Sequence, residues 1–155
     1  MYGMSIYLID RGIHDIDTSW WKKITAKFLN PGGDFEIRGW KEETDTIEHA
    51  LRYGTLNLED SNQAYETSIK GTLTKNMIHN ILSASKPQDD EMMTEFFTIT
   101  VEPRFCSAHY GTELHLLYLS EQDVAEIKEI LQPVWDCFGV DIRGMEEYVQ
   151  EKLWE

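Results

Sequence analysis

Apolar and polar residues alternate with a period of two along four stretches of the chain, and a fifth stretch, SIYLID, is a short apolar run; each predicts a strand. SIYLID opens the series. DFEIRGW at 34–40 places Phe35 and Ile37 on one face behind a Pro31-Gly32-Gly33 turn, and AYETSIKGTL at 64–73 alternates through Tyr65, Thr67, Ile69 and Leu73. EFFTITVE at 95–102 aligns Phe97, Ile99 and Val101. ELHLLYL at 113–119 aligns Leu114, Leu116 and Tyr118 against Leu117 and Leu119.

Between and after these runs the apolar spacing lengthens to three or four, the helical period. DTSWWKKITAKFLN at 17–30 starts at a Thr/Ser cap and repeats Trp20, Trp21, Ile24 and Phe28, while 44–54 and 74–84 are shorter helical candidates. Ser120-Glu121-Gln122-Asp123 resembles a capping box with Asp at its last position, so a helix starts there. Its stripe is Val124, Ile127, Leu131, Val134, Trp135 and Phe138, with a kink expected at Pro133. A final helix is expected from Met145 to about Leu153, after Gly139 and Gly144. Strands and helices mix without a βαβ rhythm, so the pattern predicts one α+β domain over residues 1–155. It would have a mostly antiparallel sheet of about five strands and four to five helices. There is no internal repeat or low-complexity linker.

The length of 155 residues suits one core rather than two. The apolar run of SIYLID is too short for a signal segment or a membrane span. Cys106 and Cys137 are the only cysteines and form no CxxC pair, which excludes a disulfide framework and a zinc ribbon. A cytoplasmic protein with reduced thiols is expected.

One stretch concentrates reactive side chains. TITVEPRFCSAHYGTELHLLYLS brings Cys106, His109 and His115 close to Glu113. A tetrahedral metal site would need these groups to converge from a loop and a strand, and their spacing fits no standard zinc pattern. A thiolate–imidazole pair would need a lowered thiol pKa, which acidic surroundings oppose. The simpler expectation is a ten-residue hairpin loop over 103–112, punctuated by Pro103 and Gly111, with no chemistry assigned. His49 and His79 fall away from the apolar faces of their helices and are expected in solvent. The carboxylates beside His14 are explained by helix capping. Gly32-Gly33 precedes a strand and so lacks the context of a phosphate loop. No cofactor is expected.

Charge changes the picture more than any motif. The chain carries 14 basic and 28 acidic side chains, a net of −14. Residues 1–86 hold 10 basic and 12 acidic groups, whereas 87–155 hold 4 and 16. Direct binding to nucleic acid or an anionic membrane is disfavoured and a basic protein partner favoured. Three acidic features stand out. The first is the QDDE loop with Asp89, Asp90 and Glu91. The second is the face of the 121–138 helix with Glu126, Glu129 and Asp136, where Lys128 is the only nearby base. The third is the last helix, where Glu147, Glu151 and Trp154 share a face. These residues are the expected partner-binding set, with Trp154 as an aromatic anchor.

In its size, acidity and α+β class, the chain resembles the immunity proteins of bacterial toxin/immunity pairs, including those of contact-dependent growth inhibition. The resemblance implies a non-enzymatic inhibitor that binds a cognate toxin domain, usually a basic nuclease. Two other expectations stay open. One is a nucleic-acid mimic whose carboxylates replace phosphates; the other is a small enzyme or metal-binding protein using Cys106, His109 and His115.

Overall fold

The computed structural model describes residues 1–9, 16–60, 64–89 and 91–146. Its strands are β1 (Tyr2–Leu8), β2 (Asp34–Trp40), β3 (Thr55–Leu56), β4 (Glu66–Thr72), β5 (Thr98–Val101), β6 (Phe105–Ala108), β7 (Glu113–Leu119) and β8 (Phe138–Gly144). The helices are α1 (Ser19–Ala26), α2 (Thr44–Leu51), α3 (Lys75–Ser83) and α4 (Glu121–Leu131). All strands join one antiparallel sheet in the order β3-β4-β2-β5-β6-β7-β1-β8. The α+β class and antiparallel sheet agree with the sequence pattern, but the sheet has eight strands rather than about five.

Each additional strand has a physical explanation. β3 is two residues long and exposed, too short to show a period. β6 lies inside the expected 103–112 loop. That segment is two tight turns around a short strand pairing with β5 on one side and β7 on the other. β8 begins at Phe138, which the helical stripe had claimed. α4 instead ends at Leu131 and passes into a six-residue 3₁₀ turn, Gln132–Cys137, in which Val134 departs from helical angles beside Pro133. Proline removes a helical N–H and crowds the preceding turn, so the break falls where expected and the chain then extends. The helix expected beyond Met145 lies largely outside the described residues.

Local signals hold elsewhere, with two adjustments. The capping box of α4 forms as expected: Asp123 N–H donates to Ser120 Oγ and Ser120 N–H to Asp123 Oδ2, each at 3.0 Å. α1 is capped by Asp17 rather than Thr18, because Ser19 N–H and Oγ–H both donate to Asp17 Oδ1 at 2.9 Å. These bonds hold the Asp17 carboxyl below its ordinary pKa. In β7 the alternation slips. The register with β1 passes from Met4↔Leu116 to Tyr2↔Leu119, so β7 carries one extra residue. Tyr118 takes a positive φ of 57° and turns outward, while Leu119 is fully buried.

The helices cover one face of the sheet. Ile37, Ile69, Ile99, Leu114, Leu116 and Met4 project into this layer at 2% exposure or less, each contributing roughly 1.5–3 kcal/mol by leaving water. α1 supplies Trp20, Trp21 and Ile24 from above. Trp21 Nε1–H donates to Ser107 Oγ at 3.1 Å in the fully buried interior. No helix among the described residues is long and apolar enough to cross a membrane.

Candidate functional site

The face opposite the helices carries the polar residues of the alternating strands, and the register aligns them. Lys70, Glu36, Thr100, Cys106, His115, Ser5 and Asp141 stand in one row across seven strands. Cys106 and His115 are therefore direct cross-strand neighbours. His115 Nδ1 lies 3.0 Å from Ser5 Oγ and its Nε2 3.5 Å from Glu113 Oε2, while Tyr7 meets the imidazole edge-on. His109 reaches the same Glu113 oxygen at 3.5 Å from the β6–β7 turn. Thr100 Oγ1–H points to Cys106 Sγ at 3.7 Å. Cys106 and His115 help line a shallow hollow of about 460 Å³ with Thr100, Glu102, Pro103 and Leu117. Among the described residues, no group of three or more His, Cys, Asp or Glu side chains is placed to hold a metal ion. Farther along this face Arg38 pairs with Glu36, Asp60 and Glu66 at 3.0–3.6 Å. The bidentate bond it donates to Asp60 raises its already high pKa.

A second arrangement forms at the end of the sheet where β1 and β2 finish and β7 begins. Asp89 and Glu91 line a hollow of about 330 Å³ with Glu43, His109, Tyr110 and Leu8. The turn that builds it is strained by design: His109, Tyr110 and Gly111 all have positive φ, at 50°, 59° and 84°. Tyr110 is held on both sides. Its N–H donates to Phe97 O at 3.1 Å, and its carbonyl accepts from Met93 N–H at 2.8 Å. Its phenol donates to Glu43 Oε2 at 3.0 Å, while Glu43 Oε1 accepts from Trp40 N–H at 2.9 Å. Burial, reinforced by Glu43 and by Asp89, pushes the phenol pKa up to about 12.

Phe97 packs against Trp40, Tyr110 and His109 with ring centroids 5.0, 5.3 and 5.6 Å away. Trp40 remains 38% exposed. The result is an aromatic cluster bordered by Glu43, Asp89 and Glu91. The acidity of the QDDE loop is legible in the sequence, but its convergence with Glu43 and the aromatics is not. The run Lys41-Glu42-Glu43-Thr44-Asp45 directly after Trp40 was the signal available.

The α4 face differs from expectation. Glu126 is paired by Lys27, just past the end of α1, and Gln122 Nε2–H donates to its other oxygen at 3.2 Å. The lysine bond draws the Glu126 pKa down. Lys128 is thus not the base that answers this face. Glu129 and Asp136 are exposed, Asp136 on the 3₁₀ turn rather than on the helix. Asp90, Glu147, Glu151, Trp154 and His14 lie outside the described residues. His79 is exposed as expected, whereas His49 is paired, its Nδ1 2.6 Å from Glu95 Oε1.

No protein-family model, curated protein or solved structure matches the chain.

Proposed function

We propose that the protein is a non-enzymatic, cytoplasmic immunity or inhibitor protein that binds and neutralises a basic, nuclease-type toxin domain. The observation that supports this most directly is the acidic hollow of Glu43, Asp89 and Glu91 set against the Trp40–Phe97–Tyr110 cluster. Carboxylates on a protein of net charge −14 accelerate encounter with a basic surface, and a half-exposed tryptophan on a rigid aromatic base suits an anchor that slows dissociation. One compact acidic patch around aromatics favours an immunity protein over a nucleic-acid mimic, which needs carboxylates repeated at phosphate spacing.

The test is association kinetics with a toxin domain encoded beside this gene. Replacing Asp89 and Glu91 by Lys should slow association, with a difference that shrinks as salt rises. Trp40→Ala should cost about 2 kcal/mol of affinity, mainly through faster dissociation. Binding indifferent to all three substitutions would remove this surface from the proposal.

A second reading, a thiol-dependent enzyme, is favoured by the adjacency of Cys106 and His115 in one hollow. Under the immunity reading, Cys106→Ser and His115→Ala, both outside the acidic hollow, fold normally and still neutralise the toxin. Lost protection with an intact fold would transfer the function to the open sheet face.

A further inference from the structure

The sheet ends in a seven-residue strand, β8, which pairs only with β1 among the described strands. The phase of that ladder follows from the bonds at its two ends. Ile9 N–H donates to Cys137 O and Met145 N–H to Met1 O, each pair summing to the same register as Met4↔Ile142. Hydrogen-bonded pairs in an antiparallel ladder recur every second residue, so Gly139, Asp141 and Arg143 direct their N–H and C=O toward β1. Val140, Ile142 and Gly144 direct theirs outward, whereas the Phe138 N–H donates back to Trp135 O in the 3₁₀ turn. Val140 and Ile142 also sit on the helix-covered face, yet both are only half-buried where the sheet ends.

The charges of this edge are balanced in a protein that is otherwise strongly acidic. Asp141 and Arg143 stand on the opposite face, two residues apart, with Arg143 Nε–H donating to Asp141 Oδ1 at 3.2 Å. An acid and a base placed symmetrically about one residue are self-complementary under two-fold rotation. If two β8 strands pair antiparallel about Ile142, Asp141 of each copy faces Arg143 of the other. Their pair is of the non-hydrogen-bonded type, in which side chains approach most closely. The same register puts Ile142 opposite Ile142 and Val140 opposite Gly144, the residues whose N–H and C=O point outward. Shifting the centre to Val140 sets Asp141 against Gly139 and loses the charge match.

We propose that this edge joins a second copy of the chain, β8 against β8 about Ile142, making one continuous sheet across the dimer. Backbone bonds supply the attraction, the two Asp141–Arg143 pairs set the register, and Val140 and Ile142 gain cover. This interface is separate from the acidic hollow, so self-association and toxin binding are tested independently.

The experiment is sedimentation equilibrium of the full chain over a micromolar to near-millimolar range, with hydrogen exchange at both ends of it. The wild type should move from 18.1 kDa toward twice that mass as concentration rises. The amides of Val140, Ile142 and Gly144 should gain protection while those of Asp141 and Arg143 do not change. Asp141→Lys, which sets lysine against arginine, should weaken the dimer by about tenfold or more. Adding Arg143→Asp restores complementarity and should restore the dimer. A wild type that stays monomeric throughout, or a dimer indifferent to Asp141→Lys, overturns the proposal. If Asp141→Lys does not fold, the wild-type exchange pattern decides alone: concentration-independent exchange at Val140 and Ile142 rejects the β8 edge.

Discussion

The phenol of Tyr110 donates to the carboxylate of Glu43 at 3.0 Å, so a turn in the second half of the chain is bound to the turn between β2 and α2. Around that bond the acidic hollow and the aromatic cluster share a wall.

The Tyr110 bond carries a pH signature. The phenol pKa is raised to about 12, so folding favours the neutral form. That contribution is complete below the ordinary tyrosine value near 10 and falls away as pH rises toward 12. Tyr110→Phe should cost about 1 kcal/mol at neutral pH, a modest figure because solvent reaches the site. It should also flatten the loss of stability between pH 10 and 12, as measured by denaturant titration at several pH values.

Gly111 should resist substitution more than Gly32. Both have positive φ, at 84° and 94°, but a Cβ at Gly111 would lie 2.8 Å from Trp21 Nε1 and from Met93 Cβ, whereas at Gly32 it meets nothing within 4 Å. Gly32→Ala should cost about 1 kcal/mol through backbone strain alone. Gly111→Ala adds a clash and should cost about 3 kcal/mol, with a change in tryptophan fluorescence as Trp21 is displaced.

Ser107→Ala removes the acceptor of the buried Trp21 N–H and should destabilise by about 1–3 kcal/mol in urea unfolding. In Trp21→Phe, which has no N–H to satisfy, the same serine change should cost much less. A double-mutant cycle between the two sites measures the difference.

On α4, Glu126→Lys should lower the Tm, because it sets two lysines against each other where Lys27 now pairs with Glu126. Glu129→Lys, on an exposed position, should leave the Tm nearly unchanged. Equal effects from both would mean that the Lys27–Glu126 pair contributes nothing specific.

Much of the helix–sheet layer is legible in the chain. Ile37, Ile69, Ile99, Leu114 and Leu116 follow period two and are buried. Trp20, Trp21, Ile24 and Ile127 follow the helical period and are buried too. Where the two periods coincide, the pattern misleads. Phe138 continues the spacing of Leu131 and Val134, but after Pro133 it starts a strand. In Phe105–Ala108 only Phe105 is a large apolar residue, and the segment is a strand because β5 and β7 lie on either side of it.

The site separates along the same line. The acidity of Asp89 and Glu91 and the excess beyond residue 86 are composition, readable without any fold. That Glu43 faces Tyr110 from 67 positions away, that Lys27 rather than Lys128 answers Glu126, and that Cys106 stands beside His115 are long-range facts. Side-chain periodicity reports burial within a few residues, because it reflects local backbone geometry and the removal of apolar surface from water. Strand partners and ion pairs between distant segments depend on the register of the whole sheet, which no local window contains. By itself the sequence determined an acidic α+β chain with one apolar layer. The tertiary structure alone decided which carboxylates were neutralised, which met aromatics, and which strand was left at the edge.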